Sequence, residues 1–328
     1  MRIKLIYLSS LLWMSPAWSQ SICVFDPMGA SGDIYALMKD FSIFSRSMDT
    51  PVEFIPFKQE DKAIQAFAAQ QCDGVVITDV SARQFNSFAG SMNAIGAITN
   101  NHMARAVLNL MDHPKLIADL KGQDYEVAGF LPIGIVRLVT RDRKIDDMHN
   151  IRGRPFAVMS GDLAQFNMVK KIGGTPISAS VDDFVHLLIT GKVDIIGLPA
   201  LVLEPLEILK FIEYHQGGIA NYATTFLSMN FVIRHQKFRQ NFGVESRVWF
   251  KKQYDPMFKK IEMAERKIKP EHWIHIAGRE AEGYDRIVRE MRVRMMNEGI
   301  YNKKTLALLK KIRCQQDAIR QECALKDE

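Results

Sequence analysis

Short β-branched runs alternate with amphipathic helical stretches from about residue 22, and the alternation starts afresh near residue 133. No other feature constrains the fold as much. Ile22 to Asp26 reads as a strand, followed by the turn Pro27-Met28-Gly29-Ala30-Ser31-Gly32 and a helix from about Asp33 to Ser47. Val52 to Phe57 is a second strand. Asp61 opens a helix whose Ile64, Phe67 and Ala68 share one face, and Gly74 to Thr78 is a third strand. Ser81-Ala82-Arg83-Gln84 has the form of a capping box, which predicts a short helix from Ser81. Strands separated by helices pair mainly in parallel, in a sheet covered on both faces.

In the second series Ile133 to Thr140 is a strand. Phe156 to Met159 is another, leading through Ser160-Gly161-Asp162 into a helix that ends at Gly173-Gly174. Ser180 starts a helix with Val181, Val185 and Leu188 on one face, and Val193 to Leu198 is a buried strand. Thr225 to Arg234 runs back to the first series. Beyond about Val244, spacings such as Ile261/Ala264 and Ile287/Met291 predict helices. The expected fold class is α/β and two-lobed, with mainly parallel sheets flanked by helices and a helical C-terminal region. Residues 20–132 form the first part of lobe I, 133–225 form lobe II, and 226–328 complete lobe I with a return strand and helices. Two crossings between lobes make a hinge, and ligands of such sheets sit beyond the carboxyl ends of the strands.

The N-terminus predicts export. Arg2 and Lys4 precede an apolar run from Leu5 to Met14, and Ala17-Trp18-Ser19 supplies small residues two apart. This is the plan of a cleavable signal peptide over residues 1–19, cut after Ser19, and the run falls short of the roughly 20 residues that span a bilayer. The expected location is the periplasm. Cys23, Cys72, Cys314 and Cys323 suit an oxidising compartment and allow three pairings. Cys23 and Cys72 each open a predicted strand, and Cys314 and Cys323 lie nine apart, so 23–72 with 314–323 is the favoured set. The first bridge would close a loop worth about 4 kcal/mol. The formal charge of +6 falls to +4 without Arg2 and Lys4. Its lysines alternate with acids on helices, so they read as solvated faces and nucleic acid is not an expected partner.

Candidate ligand-binding residues gather at strand ends. Asp26, Gly29 and Ser31 lie in the first strand-to-helix loop, where glycines and free N–H groups favour an anion, although an ordinary turn explains them equally. Thr78, Asp79 and Arg83 follow the third strand, and Arg83 has the fork to hold a carboxylate or phosphate. Arg137 interrupts the apolar strand Ile133 to Thr140 and must reach solvent, an acid or a ligand. Ser160 and Asp162 occupy the matching edge of lobe II, with helix capping as the plain alternative, and Pro199 is expected on the cleft wall. Metal and catalytic sets are not expected. His272 and His275 lack a third ligand and the HExxH frame, and GxSxG and GK[ST] motifs are missing, so no cofactor is implied and an enzyme is not the expected reading.

One series of residues resembles a known family. Arg137, then Ile151-Arg152-Gly153-Arg154-Pro155-Phe156-Ala157-Val158, Gly173-Gly174-Thr175-Pro176 and Gly191-Lys192-Val193-Asp194 are similar to TRAP-type (DctP-like) solute-binding proteins. A closer resemblance is to a group of exported solute-binding proteins, some labelled as resistance-nodulation-division efflux components. It rests on Ile22 to Asp26, Cys72-Asp73-Gly74, Arg83-Gln84-Phe85-Asn86, Phe88 to Ser91, Asn93 to Gly96, Ser246-Arg247, Arg313-Cys314 and Glu322-Cys323, and covers the whole mature chain. The resemblance implies a type II binding-protein fold with a long helix and a small, usually acidic solute in the cleft. Two arginines typically meet that acid in the broader family. Arg137 matches one, but the second position is Ala157 here, which suits a different anion or a ligand with no carboxylate. The expected function is therefore a periplasmic receptor that hands a small solute to inner-membrane transporter subunits. The alternative is an accessory envelope protein, efflux-associated, that binds a membrane partner.

Overall fold

A computed structural model describes residues 19–328; the predicted leader lies, but for Ser19, outside the described residues. The chain runs β1 (Gln20–Phe25), α1 (Asp33–Ser47), β2 (Val52–Phe57), α2 (Glu60–Ala68), β3 (Gly74–Thr78), α3 (Asp79–Ala82), α4 (Asn101–Leu108), α5 (Pro114–Leu120) and β4 (Tyr125–Thr140). It continues through α6 (Met148–Ile151), β5 (Pro155–Met159), α7 (Leu163–Lys171), β6 (Thr175–Ala179), α8 (Phe184–Ile189), β7 (Ile195–Pro199), α9 (Ala200–Leu203), α10 (Ile208–His215) and β8 (Gly218–Ala220). The return and tail are β9 (Thr225–Arg234), α11 (Phe242–Arg266), β10 (Trp273–Ile274), α12 (Gly278–Asn297) and α13 (Lys303–Gln316).

The strand order is β2-β1-β3-β9-β4-β7-β5-β6, with β8 on β4 and β10 on β8. Strands joined through helices pair in parallel, as β1 does with β2 and β3, and β5 with β6 and β7. Antiparallel β9 and β4 lie between these groups, so the sheet is mixed. β4 begins at Tyr125, eight residues before the strand expected from Ile133. Its first part pairs with β9 and its last residues with β7 and β8, so one strand serves both halves. The register against β9 shifts between Pro132 and Gly134, where Gly134 has φ +128°. A side chain disfavours that backbone, so glycine permits the irregularity at the junction.

Three apolar clusters follow from this layout. The largest lies around β1, β3, β9, the start of β4 and α11. Two smaller ones hold Ala157 and Met159, and Phe156 and Val158, because alternate residues of β5 point to opposite faces. The tail packs on both halves: α11 runs along β4 and also touches α9, and α12 meets α7. Both favoured disulfides form, Cys23–Cys72 with Cα atoms 5.8 Å apart and Cys314–Cys323 at 5.7 Å. The helix predicted from Ser81 starts two residues earlier. Thr78 is its cap, with Oγ1 accepting from the Ser81 N–H at 3.3 Å. No helix among the described residues is long and apolar enough to cross a membrane.

Candidate functional site

A cavity of about 320 Å³ lies along the junction of the halves. Phe25, Pro27, Ile34 and Thr78 line it from the first half. Ala157, Met159, Leu198 and Pro199 line it from the second. Val136 and Leu138 of β4, Thr224, and Thr225 and Leu227 of β9 form the wall where the strands cross, and Tyr284 and Val288 of α12 close one end. The walls are apolar almost throughout. Among the described residues no Arg, Lys or His lines the cavity, and its one carboxylic acid is Asp182.

Pro199 and Thr78 therefore stand where the sequence suggested, on the wall. Arg137 does not. Its neighbours Val136 and Leu138 line the cavity and Arg137 does not, although Leu198, its partner on β7 and on the same side of the sheet, does. The Arg137 Nη1 lies 3.4 Å from Glu265 Oε1 of α11, with the guanidinium 5.6 Å from the Trp273 ring centre. Burial pulls its pKa down, and Glu265 opposes that shift. Ala157, at the position of the absent second arginine, is on the wall with 1% exposure.

The loop expected to hold an anion is already filled. Asp26 Oδ1 accepts from the Met28 N–H at 2.9 Å, and Oδ2 accepts from Ile34 and Tyr35 at 3.0 and 3.1 Å. The carboxylate thus occupies the start of α1 itself. Gly32 makes room for it, since a Cβ there would sit 1.9 Å from Asp26 Oδ1. Gly29 and Ser31 shape the same turn, and Ser31 Oγ donates to the Met28 carbonyl. None of the three lines the cavity.

Asp79 is buried away from the wall. Its Oδ1 accepts from Asn93 Nδ2 at 3.1 Å and its Oδ2 from the Ser228 N–H and Oγ at 3.0 Å. Burial pushes its pKa up to about 7 against these bonds. Asn93 Oδ1 in turn accepts from Arg83 Nη2 at 2.5 Å, while Arg83 Nε donates to the Gly90 carbonyl. Arg83 then crosses the junction: Nη1 reaches Asp162 Oδ1 at 3.3 Å. Asp162 also caps α7 through the N–H groups of Ala164 and Gln165. Arg83, Ser160 and Asp162 line a separate polar groove, and Val80 borders both it and the apolar cavity. These candidates therefore sit at a rim joining the halves. Among the described residues no group of His, Cys, Asp and Glu is placed to hold a metal.

Sequence reasoning passed over the cavity's own polar atoms. The sequence singles out neither Asp182 nor Tyr284, yet Asp182 Oδ1 and Tyr284 Oη are buried without a hydrogen-bond partner among the described residues. Only the fold brings residues about a hundred positions apart to the border of one cavity. The residues quoted for the closer resemblance mostly build structure. Arg247 Nη1 pairs with Glu126 Oε1 at 2.8 Å, and Arg313 Nε with Glu322 Oε1 at 2.8 Å beside the Cys314–Cys323 bridge.

Solved structures share this architecture. A TRAP periplasmic solute-binding protein from Desulfovibrio salexigens, with bound orotic acid, superposes with a TM-score of 0.72 at 11% identity, covering 90% of this chain and 99% of that one. The sugar acid binding protein DctPAm from Advenella mimigardefordensis, in complex with galactonate, gives 0.71 at 14% identity, covering 90% and 98%. At such identities the likeness is one of fold. Sequence relatives are nearer. "Probable solute-binding protein AdeT1" of Acinetobacter baumannii is 32% identical over 305 residues, 93% of this chain and 100% of that protein. "Probable solute-binding protein AdeT2" of the same organism is 27% identical, covering 72% of this chain and 99% of that protein. The profile of the family described as "Solute-binding protein AdeT 1/2" matches residues 39–328. The chain belongs to that family of solute-binding proteins.

Proposed function

We propose that the protein is a periplasmic receptor that captures a small molecule between its lobes and delivers it to inner-membrane transporter subunits. The observation that carries this reading is the cavity of about 320 Å³ at the strand crossing, with walls from both halves. Its size lies in the range of small-molecule pockets. The expected division, with 133–225 as the second lobe, is part of the proposal. Pro132 to Gly134 and Thr224-Thr225 are the pivots, because there the β4–β9 register shifts and β9 begins. The rim pair Arg83–Asp162 acts as a latch between lobes. Membership of a solute-binding family and the small acids named for two fold relatives support capture. The lining offers no Ser, Cys, His or Lys to serve as nucleophile or base, which favours binding over catalysis.

The test combines mass spectrometry of molecules that co-purify with the native protein and a thermal-shift panel of carboxylates, amino acids, amines and neutral aromatics. A true ligand raises the melting temperature by mass action. Leu138→Trp, which fills the cavity, is expected to abolish that rise while the protein still melts cooperatively. A panel with no stabilising compound and an empty mass spectrum sinks the receptor reading.

A further inference from the structure

We infer that the cavity selects apolar amines and rejects carboxylates; this rests on the receptor reading above and names its ligand class. The argument begins with charge. A carboxylate moved from water into an apolar space needs a cation or several free donors to offset its lost hydration. This cavity supplies no cation. Arg137, beside the lining residues Val136 and Leu138, is not part of the lining and is paired with Glu265.

Helix N-termini are the other source of positive potential, and the chain fills them itself. The carboxylate of Asp26 takes the start of α1, and Asp162 takes the start of α7. Asp79 stands in the first turn of α3. An incoming anion would therefore meet acids where a binding protein for anions needs bare N–H groups.

What the wall leaves open points the other way. Most of its hydroxyls are already spent: Thr224 Oγ1 donates to the Val136 carbonyl at 2.9 Å, and Tyr222 Oη to Asp285 Oδ1 at 2.7 Å. Asp182 has neither a hydrogen bond nor an ion pair among the described residues, and its Oδ1 is buried. A buried acceptor of this kind costs free energy until a donor arrives. An ammonium on an apolar body supplies that donor and charge complementarity, while the body replaces water along Phe25, Leu138, Ala157 and Val288.

Three probes share a phenyl ring and a two-carbon spacer: 2-phenylethylamine, 2-phenylethanol and 3-phenylpropanoate. Calorimetry and thermal melts on the full mature chain are expected to show binding in the order amine, alcohol, carboxylate, with the amine at least about tenfold tighter than the acid. Asp182→Asn is expected to weaken the amine about tenfold and to leave the alcohol nearly unchanged. An unchanged far-ultraviolet spectrum and melt of the free variant show that it is folded. Tighter binding of 3-phenylpropanoate overturns this inference and leaves the receptor reading standing. Binding of none of the three also overturns it, whereas the receptor reading falls only with the wider panel and the co-purification experiment. An amine that binds Asp182→Asn as well as the parent removes Asp182 from the site and overturns the inference too.

Discussion

Two buried regions of this molecule treat charge in opposite ways. Near the C-terminus, Arg292 and Arg313 are almost wholly enclosed and are paired with Glu322 and Glu328. Their remaining donors go to the carbonyls of Ile95 at 2.9 Å and Ala97 at 3.1 Å. The interlobe cavity, by contrast, has no basic residue and a lone acid. The difference teaches that enclosed charge here serves architecture. The ion-pair knot fastens the tail to the segment 95–97, and Ile95 is itself on the cavity wall, so structural charge props up a largely apolar binding space.

The largest expected effect comes from breaking the knot. Arg313→Met leaves Glu322 and Glu328 short of a partner in a dry site and is expected to cost about 3–5 kcal/mol in urea unfolding. A loss below about 1 kcal/mol would show that the knot is not structural. The bridge beside it comes next. Replacing Cys314 and Cys323 by Ala is expected to cost about 3 kcal/mol for so short a loop, and an unchanged denaturation midpoint would contradict that.

The rim tests whether charge outside the cavity controls closure. Arg83→Met removes the only side-chain ion pair given to Asp162 among the described residues. It is expected to weaken any cavity ligand about tenfold, the worth of one charge-assisted bond, with a larger radius of gyration in the ligand-bound state by small-angle scattering. Equal affinity and equal compaction would refute the latch. Asp79 gives a smaller, pH-dependent signal. Its pKa of about 7 in the fold stands above the ordinary 3.8, so the native state holds a proton that the unfolded chain releases between those values. Its contribution is complete below about pH 4 and is lost as pH rises to about 7, with a slope of at most about 1.4 kcal/mol per pH unit. The Asp79→Asn profile is expected to lack that slope; parallel profiles would contradict it. Least of all should change with Arg137→Gln, which is expected to leave ligand affinity within about twofold because the side chain faces Glu265.

Much of the fold was legible because strand and helix periods are local. β2, β3 and β9 lie at the residues read for them, as does α1. The misses share a cause. The strand expected from Ile133 is the second half of β4, whose earlier residues carry Gly129 and Pro132 at irregularities that only pairing with β9 reveals. β8 and β10 have three and two residues, and such short strands exist only through their partners.

For the site, the sequence by itself determined which residues end strands, since that depends on neighbours along the chain; the resemblance added Ala157 at the second arginine's position, and the disulfide pairing stayed one of three until the fold set it. Tertiary structure decided the rest. Arg137 is tied up by its packing partner: α11 lies along β4 and brings Glu265 to it. In the same way Asp26 became the cap of its own helix and Asp182 the open acceptor of the cavity, because hydrogen-bond partners and burial are set by packing in space.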